Sequence, residues 1–261
     1  MHRRVKIAFA ALVALSLGAL AWVALRPAEP VYKGKPLSQW IAPSLSEPDR
    51  GAMSWTERGQ QADEAVSHFG TNAVPTLLRM LESTDPPLTT RLIDLAERRV
   101  TYIKFASAAE RNAAGQRGFE VLGAAASNAV PALLRIAHRN LSPASQSATI
   151  MALGAIGPPA RAAVPSLLQW ATNDINQTFA PICALGRIGA EPSIVVPFLT
   201  NALADPNVRP MLVLALGGFG TNALPAVPAL LALLHSEADL TDKRIYTNAL
   251  NNIDPRILSH K

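Results

Sequence analysis

Hydrophobic residues recur along this chain in a pattern that begins at a Val-Pro dipeptide. Five such dipeptides occur, and their successive prolines are 56, 34, 32 and 31 residues apart. They are Val74-Pro75, Val130-Pro131, Val164-Pro165, Val196-Pro197 and Val227-Pro228. Apolar residues then follow at i+3, i+4 and i+7 from the valine, as Leu77, Leu78 and Leu81 do in the first copy, and the one exception is Thr200 in the fourth copy. Each copy predicts an amphipathic helix with proline in its first turn, where the missing N–H has no helical acceptor.

A second apolar stripe precedes each dipeptide and ends at a glycine. Ile150, Leu153 and Ile156 stand seven, four and one positions before Gly157, and the other copies are similar. Glycine directly after a helix is typical of a left-handed cap, and we expect the Thr, Asn or Ser beside it to cap the next helix. Each repeat therefore predicts a helix, a tight turn and a second helix.

Helix pairs of this size must stack in order to fold. About 30 residues bury too little apolar surface to offset their conformational entropy, at roughly 1–2 kcal/mol per residue for the backbone. The pattern thus predicts an all-α fold of five stacked antiparallel helix pairs over residues 57–254, ending in a half repeat. Residues 87–105 predict one inserted helix, Ser107 and Glu110 predict a capping box after it, and residues 255–261 form a tail. The turn from Gly70 to Pro75 is three residues shorter than its equivalents, which marks the first repeat as an atypical end.

The first 26 residues carry a targeting pattern. Arg3, Arg4 and Lys6 precede residues 7–25, which are 19 residues without a charge. Such a segment predicts an N-terminal hydrophobic helix that anchors the chain in a membrane. A cleaved signal peptide is the alternative, because "ALA" at 19–21 fits a cleavage site. We expect the rest of the chain to face the periplasm or the cell exterior, or to be secreted after cleavage.

Residues 27–56 contain five prolines and predict an extended spacer. Within it, Leu37, Trp40 and Ile41 form a short apolar segment that can dock on the first helices. The remainder of the chain after Arg26 carries 20 basic and 19 acidic residues. The basic pI therefore reflects targeting, and binding of nucleic acid is not expected.

The repeats "LGAIGPPARAAVPSLLQWA" and "LGRIGAEPSIVVPFLTNAL" resemble HEAT repeats, in the short form also found in the HEAT-like repeats of phycobilisome lyases. With "YKGKPLSQWI" after a hydrophobic segment, the chain is also similar to exported bacterial HEAT-repeat proteins. The tetratricopeptide and ankyrin patterns are absent. The resemblance covers residues 57–254, and it implies a right-handed α-solenoid of armadillo type whose second helices line a concave surface.

Motifs for catalysis are missing from the sequence. G-x-S-x-G, Walker, H-E-x-x-H and C-x-x-C patterns do not occur. Cys183 aligns with Met151 and Leu214 in neighbouring repeats, which favours a packing role. The five histidines include no pair at ligand spacing, and the acidic cluster at 237–242 favours helix capping. We therefore expect no enzyme activity, cofactor or metal, with a divergent HEAT-like lyase or nucleic-acid-processing enzyme as the alternative.

A candidate partner-binding face follows from the second helices. Polar residues stand four positions after four of the five prolines, and two more follow the second of these, giving Arg79, Arg135, His138, Arg139, Gln169 and Asn201. They are either an ordinary solvated face or a surface for an acidic protein, peptide or other anionic polymer. The sequence thus predicts a monomeric, non-enzymatic scaffold or adaptor that meets the membrane through its N-terminal helix and binds an unknown protein or peptide.

Overall fold

α-Helices make up nearly all the regular structure in the computed structural model, which describes residues 29–41, 55–85, 106–173, 179–236 and 239–258. The expected N-terminal helix within residues 1–26 and the expected inserted helix at 87–105 lie outside these ranges. For the described residues, the all-α class is confirmed.

Two sets of helices alternate along the chain. The first helices of the repeats are α2 Trp55–Phe69, α4 Ala108–Leu122, α6 Pro143–Ile156, α8 Phe179–Ile188 and α10 Arg209–Gly218. The second helices are α3 Val74–Leu81, α5 Val130–Arg139, α7 Val164–Asn173, α9 Pro192–Ala202 and α11 Val227–Ser236. A final helix, α12 Leu240–Ile253, precedes a short 3₁₀ turn at Pro255–Ile257. A five-residue helix, α1 Leu37–Ile41, precedes the repeats.

The first helices pack against one another in chain order. Helix α2 contacts α4, and the series continues through α6, α8 and α10 to α12. Each second helix packs against the first helix of the next repeat, as α3 does on α4 and α5 on α6. The leucine two positions after each Val-Pro proline is fully buried, namely Leu77, Leu133, Leu167, Leu199 and Leu230. The apolar stripe of the second helices therefore faces the core, as predicted.

Glycines at the ends of the first helices adopt positive φ. The φ values of Gly70, Gly123, Gly157, Gly189 and Gly220 lie between 51° and 75°. At Gly123 and Gly157, however, ψ is −134° and −145°, far from the value near +47° of a left-handed helical residue. The prediction of a left-handed cap is therefore wrong at these two positions. The chain instead reverses direction at the glycine and enters a 3₁₀ turn.

The turns after these glycines also correct the predicted side-chain caps. Helices α3 and α5 follow 3₁₀ turns at Gly70–Ala73 and Gly123–Ala129, and neither turn nor helix has a side-chain cap. The backbone N–H of Val74 donates instead to the carbonyl oxygen of Thr71. Because the 3₁₀ carbonyls accept from N–H groups at the helix start, no polar side chain is required there. The first turn spans four residues against seven in the second, as its shorter sequence predicts.

Helix α4 does carry the predicted capping box. The backbone N–H of Glu110 donates to Ser107 Oγ at 3.2 Å, and the N–H of Ser107 donates to Glu110 Oε2 at 2.7 Å. We expect Ser107→Ala to lower the free energy of unfolding by about 1 kcal/mol. Asn72→Ala, in the first turn, should change it by less than about 0.5 kcal/mol. Urea unfolding of the full-length chain, followed by circular dichroism, measures both, and equal losses would contradict the assignment of caps.

Residues 29–41, which lie within the predicted spacer and include its predicted docking segment, form a hairpin and a short helix. Strands β1 Val31–Tyr32 and β2 Lys35–Pro36 pair antiparallel across a two-residue turn. Lys33 and Gly34 in this turn have φ of 48° and 77°, as a type I′ hairpin requires.

Helix α1 attaches this hairpin to the first repeat. Leu37 and Ile41 are buried in the shared hydrophobic core, and α1 contacts α2. The indole Nε1 of Trp40 donates to the carbonyl oxygen of Tyr32 at 3.0 Å. These contacts fold the segment because its apolar residues reach the exposed end of the helix series. Helix α2 begins at Trp55, two residues before the expected boundary.

One stretch of the described residues is long and apolar enough to cross a membrane. It runs from Ala108 to Arg139 and consists of α4, a 3₁₀ turn and α5. Gly123 interrupts it with a φ of 51°, and both helices pack against α6. The stretch is therefore two helices of the packed series.

Candidate partner-binding surface

The second helices expose all of the residues predicted to bind a partner. Arg79 lies on α3, Gln169 on α7 and Asn201 on α9, while α5 carries Arg135, His138 and Arg139. We call the exposed side of the second helices that carries these residues the second-helix face. Four of the six predicted residues line one of two grooves, and the other two, Arg79 and Gln169, lie outside both.

The first groove lies between α3 and α5 and has a volume of about 510 Å³. Seven residues line it, and we call it the basic groove: Leu78, Glu82, Ala132, Arg135, Ile136, His138 and Arg139. Leu78, Ala132 and Ile136 supply apolar surface, and the other four supply polar groups. Three of the six predicted residues are thus brought together around one concavity.

Arg139 and Glu82 form an ion pair across the basic groove. The distance from Arg139 Nη1 to Glu82 Oε1 is 2.6 Å, and the side chains are 59% and 39% exposed. Exposed pairs of this kind contribute at most about 1 kcal/mol, so a ligand can displace either partner. Sequence reasoning missed Glu82, although it stands seven positions after Pro75, the same register as His138 after Pro131.

His138 connects the basic groove to the third repeat. Its Nε2 lies 3.1 Å from Ser166 Oγ, and its ring lies 4.9 Å from the Trp170 ring, centroid to centroid. Neither Ser166 nor Trp170 was predicted to take part. Their contacts hold the imidazole at the groove wall.

The two remaining arginines differ in their surroundings. Arg79 Nη2 donates to Thr76 Oγ1 at 2.9 Å within its own helix, and Arg79 lies outside the basic groove. Arg135 has no hydrogen bond or ion pair with any residue that the structure describes. Arg135 is therefore the lining guanidinium whose charge is unmatched among the described residues.

A second groove, between α9 and the turn Gly220–Ala226, has a volume of about 410 Å³. Its lining is uncharged and consists of Pro192, Ser193, Val196, Pro197, Thr200, Asn201, Asn222 and Pro225. Asn201 belongs to this groove, whereas Gln169 lines neither groove. The six predicted residues therefore do not form one continuous site.

Groups suited to catalysis are sparse in the described parts of the chain. Burial raises the pKa of the half-buried Cys183 thiol, and the nearby Arg187 guanidinium opposes this effect only in part. A thiol with a raised pKa is a poor nucleophile, which agrees with the packing role expected for Cys183. No cluster of three or more His, Cys, Asp or Glu side chains suited to a metal ion occurs among these residues.

No protein-family model, no curated protein and no solved structure matches the chain.

Proposed function

We propose that this protein is a non-enzymatic scaffold or adaptor that binds a protein or peptide on its second-helix face. In this proposal the chain is a right-handed, HEAT-like α-solenoid, and the second-helix face is its concave surface. Residues 1–26 export the chain and tether it to a membrane, with the repeats facing the periplasm or the cell exterior.

The contacts between helices support the solenoid. Each first helix packs against the first helices before and after it, and each second helix against the next first helix. Contacts mainly between neighbouring repeats are typical of solenoid proteins. Helix α3 also reaches α6, where Ser145 Oγ donates to the carbonyl oxygen of Leu81 at 2.6 Å. This arrangement leaves the second helices with an exposed side on which grooves form.

The main support for the proposed binding function is the basic groove. It combines apolar surface with arginine side chains on an exposed face. Partner-binding surfaces commonly place apolar contacts beside charged groups that select and orient the partner. A groove of this kind serves binding without requiring any reactive group.

Charge reversal on the second-helix face tests this function. In the full-length protein, we expect Arg79→Glu, Arg135→Glu and Arg139→Glu together to reduce partner capture from envelope extracts by about tenfold or more, because reversed charges repel an acidic partner. Crosslinking pull-down followed by mass spectrometry measures the captured partner.

A matched triple reversal separates this surface from a general charge effect. Arg161, Arg187 and Arg244 are exposed and lie off the second helices. Their replacement by glutamate should leave capture within about twofold of the wild-type level, since distant exposed charges are screened. Unchanged capture by the first triple, or equal loss with both, would remove the second-helix face from the proposal.

A further inference from the structure

The size and lining of the basic groove suit a short segment of a partner. Its volume of about 510 Å³ lies within the range of roughly 300–1,000 Å³ typical of ligand-binding clefts. Ile136 is 4% exposed, and Leu78 is partly buried against the core. Leu78 and Ala132, which are partly exposed, therefore offer most of the apolar surface to a side chain that enters the groove, and the buried Ile136 adds a small part of it.

The charges around the groove are unequal. Arg135 and Arg139 are positive and Glu82 is negative, and Glu82 already lies 2.6 Å from Arg139. Arg135 remains as one guanidinium without a partner among the described residues. The planar fork of a guanidinium matches a carboxylate with two parallel hydrogen bonds.

The same charges disfavour a polyanion. Glu82 repels a phosphate chain placed along the groove, and the chain after Arg26 has 20 basic and 19 acidic residues. Binding of nucleic acid draws on many cationic contacts to phosphate. One unmatched arginine beside an apolar surface fits a carboxylate attached to an apolar segment.

The groove walls are held in place before any ligand arrives. Trp170 and Ser166 contact His138 from the third repeat, and Glu82 holds Arg139. Walls that are already ordered lose little conformational freedom on binding. The contacts of His138 also explain why its ring lines the groove wall.

We infer that the basic groove binds an acidic peptide segment, in which an apolar side chain packs on Leu78, Ala132 and Ile136 and an adjacent carboxylate binds Arg135. This inference rests on the proposed function and specifies the chemistry of its partner. The partner's carboxylate pairs with Arg135 and competes with Glu82 for Arg139.

Fluorescence anisotropy with a defined peptide tests the inference on the full-length protein. The probe is a fluorescein-labelled peptide of alternating glutamate and leucine, Glu-Leu-Glu-Leu-Glu between Gly-Ser flanks. Arg135→Glu should weaken its binding about tenfold or more, since a charge-assisted hydrogen bond is lost. Glu82→Gln should strengthen binding about threefold, because it removes a repulsive carboxylate and frees Arg139.

Matched probes separate recognition from a change in folding. Replacing glutamate by glutamine, or leucine by serine, should weaken binding to the wild-type protein about tenfold. A peptide with lysine in place of glutamate should bind Arg135→Glu more tightly than the wild type, which an unfolded variant cannot produce. Arg161→Glu, at a turn away from the groove, should bind the glutamate peptide as the wild type does.

Three outcomes would overturn the inference. They are no binding of the glutamate peptide, equal binding of the glutamate and glutamine peptides, and tighter binding of a ten-nucleotide oligothymidylate than of the peptide. If one of these occurs while the arginine triple still abolishes capture from envelope extracts, the proposed function stands and only the peptide chemistry is wrong. If the peptide binds as expected but the triple leaves capture unchanged, the proposed function fails instead.

Discussion

Gly186→Ala is expected to lower the free energy of unfolding by about 3 kcal/mol, at the upper end of the usual effect of overpacking. A Cβ atom at residue 186 would lie 2.6 Å from Cα of Ala215, 2.9 Å from its Cβ and 3.0 Å from its carbonyl oxygen. Two of these three atoms belong to the backbone of α10. No side-chain rotation relieves the clash, so α8 and α10 must move apart.

The same contact recurs between neighbouring first helices. A Cβ at Gly154 would lie 2.9 Å from Cα of Ala184, and one at Gly217 would lie 3.2 Å from Cα of Ala249. The three glycines end "ALG" sequences in α6, α8 and α10. We therefore expect the losses of stability to follow the contact distances, with Gly186→Ala largest and Gly217→Ala smallest.

Gly59→Ala is the matched control for this series. Gly59 lies within the first helix α2, and a Cβ there would have no neighbour within 4 Å. Alanine favours a helix more than glycine does, so this change should leave stability unchanged or raise it by up to about 1 kcal/mol. Urea unfolding followed by circular dichroism gives both values. A Gly186→Ala protein as stable as Gly59→Ala would show that the first helices are not in backbone contact.

The sequence predicted which residues of a helix are buried, but it did not predict the close contacts at these glycines. Helical periodicity predicted the buried leucines of the second helices, because spacing within one helix determines which residues share a face. It carried no information on how closely two first helices approach each other. Gly186 is unfavourable in an isolated helix, and its benefit arises only from packing against Ala215.

On the second-helix face, too, residues that share one helix were predicted from the sequence, whereas contacts from other repeats were not. Repeat register predicted Arg135, His138 and Arg139, which lie on one helix and line one groove. It missed Glu82 and Trp170, which reach the groove wall from other repeats. Contacts of this kind depend on the spacing between second helices, which the sequence pattern does not contain.

The turns were mispredicted for a different reason. Glycine followed by Thr and Asn is typical of a helix end and a new cap, and that pattern occurs at Gly70 and Gly220. In the structure the intervening residues are themselves 3₁₀ helical. The carbonyl oxygens of the 3₁₀ turn accept the hydrogen bonds that a capping side chain would have accepted. The residue types at these positions do not by themselves indicate a 3₁₀ turn.

Substitution of Asn112 has the second large expected effect, because this buried side chain donates to carbonyl oxygens at the end of α3. The Ser145 hydroxyl also donates to the carbonyl oxygen of Leu81 at 2.6 Å, and the N–H of Ser83 donates to that of Met80 at 3.1 Å. Asn112 is 1% exposed, and its Nδ2 lies 2.8 Å from the carbonyl oxygen of Met80 and 2.9 Å from that of Leu81. A third carbonyl oxygen, that of Ser83, lies 3.2 Å away. The last carbonyls of a helix have no partner within the helix. Asn112 of α4 therefore supplies donors that α3 itself lacks.

Asn112→Ala should lower the free energy of unfolding by about 1–2 kcal/mol, because a buried amide that donates to three carbonyl oxygens is lost, while the carbonyl oxygens of Leu81 and Met80 keep another donor. Asn112→Asp should lower it further, since a carboxylate of nearly the same shape would face the same carbonyl oxygens with no proton to donate. Urea unfolding measures both, with the exposed Asn72→Ala as control. If Asp and Ala proved equivalent at residue 112, the amide would not be acting as a donor. The order wild type, Ala, Asp follows from the hydrogen bonds alone, since aspartate matches the size of asparagine better than alanine does.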